Sequence, residues 1–258
     1  MEITLNECLA GKATAIKGKE YFSTEQYVTP FLDRMSKFTD NFIINAIPAN
    51  QVSLTPEGGV NTQDIVYNRV WIQAIMPDEC GFDQHDRVIG MVYGLDTRKP
   101  VVKIYVGGLN RACCNLCVFD PSFLDVKELE PEVAIDYRPI DRLLSQTSNV
   151  TATLKKLSNM EVPYDEQIIN ESLGSWIRKT IDKQFSHDYG KIKLSASTAI
   201  DAFKLLYKDE ESPYYVKPGY STDMFNVYNA FTQCITNDKR DIINKCEKTI
   251  LVSNILSI

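Results

Sequence analysis

Histidine is nearly absent from this chain: His85 and His187 are the only two among 258 residues. Each stands beside an aspartate, in Gln84-His85-Asp86 and Ser186-His187-Asp188. Adjacent residues on a strand or helix point apart, so neither doublet forms a catalytic dyad by itself. The chain also lacks a Gly-x-Ser-x-Gly elbow, a phosphate-binding loop and a dinucleotide fingerprint. Carboxylates gather at Asp209-Glu210-Glu211 and at Asp238, in hydrophilic stretches where solvated charge is the default. These shortages argue against an enzyme.

Long apolar runs are missing as well. None approaches the roughly 18 residues of a membrane helix, and the first twenty residues mix acidic and basic groups, unlike a secretory signal. No internal repeat, low-complexity tract or charge block is present. These absences predict a soluble, cytoplasmic protein with no membrane partner.

What is present is ordinary globular usage, 44% hydrophobic and 24% charged. The length suits one domain with a substantial core. Net charge is −6, which excludes a strongly basic nucleic-acid binder on the global count. Seven cysteines, an odd number, include a cluster at Cys113, Cys114 and Cys117. Reduced, packed thiols fit better than a disulfide scaffold. Cys114 and Cys117 have zinc-type spacing, but a structural zinc site usually shows a second such pair and none exists here. The set Cys80, His85, Cys114 and Cys117 is the one metal-dependent alternative; packed cysteines and no cofactor are the preferred reading.

Hydrophobic periodicity divides the chain. Residues 1–130 read as mainly β, with strands at FIINAIP, QVSLTP, IVYNRVWIQAIMP, RVIGMVYGL and PVVKIYVGGL. The first twenty residues read as an irregular arm or short strand. Ser23 or Thr24 caps one helix carrying Tyr27, Phe31, Met35 and Phe38 on one side, with Pro30 near its first turn. Residues 131–258 read as mainly α. One helix face carries Ile140, Leu143, Thr147, Val150, Leu154 and Leu157, and further helices follow over 164–185, from Ser195 or Ser197, around Phe225 to Phe231, and over 241–255. The fold class predicted is α+β, an antiparallel sheet in the N-terminal half packed against a helical C-terminal half.

The densest feature lies between Arg87 and Phe119, where Arg87, Arg98, Lys99, Lys103 and Arg111 oppose Asp96 alone. With Arg69, Trp71 and Tyr105 they combine cations and aromatics, the two ingredients of single-strand binding. Alternation puts Lys103 and Tyr105 on one face of their strand, with Val102, Ile104 and Val106 on the other. A solvated sheet face or an oligomer interface would use the same residues. Gly107-Gly108 marks a bulge or a close backbone approach.

The hairpin and a C-terminal segment resemble a phage- and plasmid-associated family known as domain of unknown function 932. That family has a strand ending in Asn-Ser-His-Asp, then a Cys-x-Asn-Leu motif, and later a Trp followed by Asn-Ala-x-Thr. Here Gly94-Leu95-Asp96 stands at the first motif, and Cys113-Cys114-Asn115-Leu116 matches the second. Phe225 and Asn229-Ala230-Phe231-Thr232 match the last. Leu95 replaces the family's histidine and Phe225 its tryptophan, so a role needing that imidazole is absent or moved. The resemblance implies a mobile-element origin and no particular reaction. Asn115 and Asn229 are polar residues in apolar surroundings, so they are expected to be hydrogen-bonded and to pin the hairpin to the helix around Phe225 to Phe231. The functional expectation is a phage accessory protein that binds single-stranded nucleic acid or anneals it. The alternative is a protein–protein module, virion-associated or counter-defence, docking on a host or phage protein.

Overall fold

The computed structural model describes residues 2–10, 12–14, 21–48, 53–54, 60–61, 66–77, 82, 84–94, 101–111, 115–119, 124–128, 135–164, 194–237 and 244–256. The architecture is α+β, with an antiparallel sheet in the N-terminal half and helices in the C-terminal half. Two compact units make up the chain. The first comprises Met1–Pro77, Arg87–Val106 and Leu124–Ser145; the second comprises Asp78–Asp86, Gly107–Phe123 and Gln146–Ile258.

The first unit opens on a helix where an arm or strand was expected, α1 (Leu5–Ala10). Its cause is a capping box that the sequence spells as Thr4-Leu5-Asn6-Glu7. The Glu7 N–H donates to Thr4 Oγ1 at 3.2 Å, and the Thr4 N–H donates to the Glu7 carboxylate at 2.7 Å. After β1 (Lys12–Thr14) and β2 (Tyr21–Ser23) comes α2 (Thr24–Met35). Tyr27, Phe31 and Met35 are buried along one side of it as their spacing requires, but Phe38 lies beyond the helix end and is half exposed. Pro30 falls in the helix interior rather than near its first turn, where its missing N–H removes one ladder bond.

The remaining strands of the N-terminal half are β3 (Phe42–Pro48), β4 (Ser53–Leu54), β5 (Val60–Asn61), β6 (Val66–Met76), β7 (His85–Gly94), β8 (Val101–Asn110), β9 (Leu116–Cys117) and β10 (Leu124–Glu128). The principal sheet runs β10-β8-β7-β6-β1-β2, with β3 also paired to β6 and β9 to β8. Its described pairings are antiparallel apart from β1 with β6, which is parallel. Among the described residues of the QVSLTP stretch, Ser53 and Leu54 form β4, paired with β5 in a separate ribbon.

Register separates the two faces of this sheet in the first unit. Val70, Ile72 and Ala74 oppose Tyr93, Met91 and Ile89, all buried. The Tyr137 hydroxyl donates to the Tyr27 carbonyl of α2 and lies 3.6 Å from Met91 Sδ, so α2 covers this face. A short helix, α3 (Pro139–Ser145), is held to α2 by the Arg34–Asp141 ion pair. The opposite face carries Trp71, Gln73, Val88, Val92 and Tyr105, and these are buried too. Strands buried on both faces read as continuous apolar runs, and β8 is buried from Val102 to Asn110.

The expected seam from Ile140 to Leu157 is divided between α3 and α4 (Thr147–Ser158), with Gln146 between them. Ser145 Oγ donates to the Arg142 carbonyl at 2.6 Å, and short hydroxyl side chains that bond the backbone this way compete with the helical ladder. In the second unit α4 is followed by β11 (Glu161–Val162), α5 (Ala196–Tyr207), β12 (Thr222–Asp223), α6 (Met224–Asn237) and α7 (Lys245–Ile255). The helix expected over 164–185 lies outside the described residues. Ser195 caps α5 as its sequence predicts, accepting from the Thr198 N–H at 3.2 Å. Asp223 accepts from the Asn226 N–H at 2.7 Å in the first turn of α6. Buried Lys245, at the start of α7, donates to the Thr236 carbonyl near the end of α6, where cations are favoured. Val227, Tyr228, Phe231 and Ile235 of α6 are buried, each worth roughly 1.5–3 kcal/mol relative to exposure.

Candidate functional site

The residues expected to form a nucleic-acid face fall into different environments. Trp71 is 6% exposed and Tyr105 fully buried, and the indole N–H donates to the Tyr105 hydroxyl. Tyr105 lies across Gly90, where a Cβ would meet its ring at 2.1–2.4 Å. These rings are therefore core pieces and have no free π-face to offer a base. Lys103, on the same face of β8, is only 5% exposed and is engaged within the fold. The alternation on β8 is real, but both faces are covered, so the expectation of a solvated Lys103–Tyr105 face is corrected.

The described arginines have acceptors within the fold. Arg87 donates to the Leu144 carbonyl of α3 at 2.9 Å. Arg111 pairs with Asp86 at 3.1 Å, Arg138 with Asp136 at 2.8 Å, and Arg142 with Asp125 at 3.3 Å, while Arg34 holds Asp141. Every arginine whose side chain is described thus already has an acceptor. Hydrogen bonds from Arg138 pull the Asp136 carboxyl down to about 2. Arg69 contributes its backbone to β6, paired with Gly94, and its side chain lies outside the described residues, as do Arg98 and Lys99.

The segments carrying Asn115 and Asn229 converge. In the second unit Asn115, fully buried, donates from Nδ2 to the Tyr214 hydroxyl and to the Asn229 carbonyl, both at 3.1 Å. Thr232 Oγ1 donates to that same Asn229 carbonyl at 3.1 Å, and the Tyr214 hydroxyl donates to Gln233 Oε1 at 3.1 Å. The expected pinning of the hairpin to a C-terminal helix is thus present, through the Asn115 side chain. The side-chain oxygens of Asn115 and Asn229 have no partner among the described residues.

The segment 115–119 is bound to the helices along its length. Tyr228 donates to the Val118 carbonyl at 3.3 Å, and Ser253 of α7 donates to the Phe119 carbonyl at 2.8 Å. Burial pushes the Tyr228 hydroxyl far above its ordinary range, so it stays a donor. Gly107 answers to the second of its two expected roles. A Cβ there would lie 2.5 Å from the Cys117 carbonyl, so β9 approaches the backbone too closely for any side chain. Gly108 pairs with Cys117, and Leu109 with the buried Leu116.

His85 is buried in a ring cluster with Phe82 and Phe225, with centroids 5.2–5.3 Å apart. Phe225 therefore packs against the other two rings. Of the metal alternative, Cys117 is buried with its thiol 4.0 Å from the Asn115 carbonyl. Cys80 and Cys114 lie outside the described residues, as does Cys113. Among the described residues no group of three or more His, Cys, Asp or Glu side chains could hold a metal ion.

Two features escaped the sequence reading. The Asp86–Arg111 pair links residues 25 positions apart and leaves no local signal. Tyr220 is the other: its ring is 67% exposed, the most exposed large apolar side chain among the described residues. Its signal was available in Lys217-Pro218-Gly219-Tyr220, a Pro-then-Gly turn signature.

No protein-family model matches the chain, and no curated protein and no solved structure matches it.

Proposed function

We propose that this protein works by binding, and that its partner is a protein rather than single-stranded nucleic acid. One observation carries the choice: among the described candidates Trp71, Lys103 and Tyr105 are buried in the fold, and Arg87 and Arg111 already hold a carbonyl and a carboxylate. Trp71 and Tyr105 bond each other in the core, and each described arginine holds a carboxylate or a carbonyl. A chain of net charge −6 also repels a polyanion at long range, whereas it tolerates a protein with complementary charge. Carried on a mobile element, as the family resemblance implies, such a module would dock on a phage or host protein.

Fluorescence-anisotropy titration with labelled single-stranded and double-stranded DNA at low salt tests this directly. The expected result is no saturable binding where electrostatics are strongest. Salt-sensitive affinity for single strands would overturn the proposal and restore the nucleic-acid reading. That reading has one observation in its favour: Arg98 and Lys99 belong to the connection between the neighbouring strands β7 and β8. Neutralising both would then have to weaken the binding.

A further inference from the structure

Residues 208–221, between α5 and β12, read Lys-Asp-Glu-Glu-Ser-Pro-Tyr-Tyr-Val-Lys-Pro-Gly-Tyr-Ser. This connection is long, but it is tied down on both sides of its tip. On the incoming side the Val216 N–H donates to the Leu206 carbonyl of α5 at 2.8 Å, and the Val216 and Tyr214 side chains are buried. On the outgoing side Thr222 enters β12, and Asn226 Nδ2 clamps the Tyr214 carbonyl at 2.8 Å and Thr222 Oγ1 at 3.0 Å. Between these anchors the Tyr220 N–H closes a turn onto the Lys217 carbonyl at 3.1 Å. Pro218 presets its own φ, and Gly219 sits at φ +83°. A Cβ at Gly219 would meet nothing within 4 Å. Glycine is there for the backbone angle alone, and the turn is built to hold one shape.

A single exposed apolar side chain is ordinary on a protein surface. A tyrosine on a preformed turn differs, because binding through it immobilises little that is not already ordered. Lys217, Pro218, Gly219 and Ser221 are exposed beside it, so the ring stands clear of its neighbours. The same connection exposes Asp209, Glu210 and Glu211.

We propose that the Lys217–Tyr220 turn is a preformed docking knob for a basic, extended segment of a partner protein. An arginine or lysine of that segment stacks on the Tyr220 ring while others reach the carboxylates of Asp209, Glu210 and Glu211. A cation over an exposed aromatic face is drawn to the ring's negative face, and more strongly once water is excluded. The carboxylates supply the charge complementarity that selects a basic segment over an acidic one. This inference rests on the protein-docking reading above and adds the surface and the chemistry of the partner.

The test uses the full chain and two labelled peptides of equal length, one alternating arginine with glycine and one alternating glutamate with glycine. The arginine peptide should bind and the glutamate peptide should not. Tyr220→Ala should weaken arginine-peptide binding about tenfold, Tyr220→Phe should retain it, and Glu210→Gln with Glu211→Gln should flatten its salt dependence. Tyr220 is exposed, and far-ultraviolet circular dichroism should show all variants folded. Failure to bind the arginine peptide, or binding indifferent to Tyr220→Ala, would sink the docking knob. DNA titrations on the same samples separate the two proposals. DNA binding defeats the protein-docking reading itself, while a silent DNA arm beside a failed peptide arm defeats only this inference.

Discussion

Two lysine–tyrosine pairs in this protein have opposite fates. Lys103 and Tyr105 of β8 point into a sheet face that is fully covered, and Tyr105 accepts a hydrogen bond from Trp71. Lys217 and Tyr220 stand in water on a closed turn. Composition cannot distinguish the pairs, since each offers a cation and an aromatic ring a few residues apart. The backbone distinguishes them. A strand with apolar residues at both alternating sets of positions is claimed by a core on both sides, whereas Pro218-Gly219 breaks the ladder and forces the chain outward. The lesson is that aromatic residues among basic ones signal binding only where the backbone also leaves them outside.

If this comparison is right, substitutions on the inward side change stability and those on the outward side change binding. The largest effect is expected deep in the second unit. Asn115→Asp replaces a buried donor facing the Tyr214 hydroxyl and the Asn229 carbonyl with a buried charge, costing about 3–5 kcal/mol in urea unfolding. A midpoint unchanged from the parent would show that this network is not holding the segment. Next comes Gly90→Ala, whose Cβ would strike the Tyr105 ring; overpacking of this kind costs about 1–3 kcal/mol and should shift the Trp71 emission. Trp71→Phe keeps the ring volume largely in place but removes the indole donor, at about 1 kcal/mol.

The outward side should respond weakly. Gly219→Ala strains the positive φ for roughly 1 kcal/mol or less, and Tyr220→Ala should stay within about 0.5 kcal/mol of the parent. Stability losses there rivaling those at Gly90 would erase the distinction. The smallest expected effect is a pH response on the surface of the first unit. Asp136 is depressed from 3.8 to about 2 by its bonds to Arg138, so its contribution is present above about pH 4 and lost as pH falls through about 2. Carboxyl titration by nuclear magnetic resonance should find that low midpoint, and Arg138→Ala should bring it back toward 3.8.

Much of the fold was legible because it is local. Ser195 at the head of α5, the period of Tyr27, Phe31 and Met35, and the β-branched runs of β3, β6, β7 and β8 all declare their elements within a few residues. The Thr4–Glu7 capping box was equally local and was overlooked because α1 is so short. The candidate sites were less legible. Asn115 and Asn229 could be singled out as polar residues in apolar company, but the contact joins the Asn115 side chain to the backbone carbonyl of Asn229, which no side-chain signal marks. The covering of both sheet faces depends on segments distant in sequence, such as α2 with its Tyr27 carbonyl against Tyr137. Alternation says which residues share a face but not whether water reaches it.

The clamping of residues 115–119 by α6 and α7 has a consequence in time. The partners of this segment lie far downstream: the Asn229 carbonyl 114 residues away, the Tyr228 hydroxyl 110 and the Ser253 hydroxyl 134. At synthesis rates of about 5–20 residues per second, Ser253 is added on the order of 10 s after Phe119. Through that interval the Val118 and Phe119 carbonyls lack the hydroxyls of Tyr228 and Ser253 that bond them in the folded protein. During translation the last two helices therefore act as the clasp, and the earlier hairpin tip is completed only when they arrive.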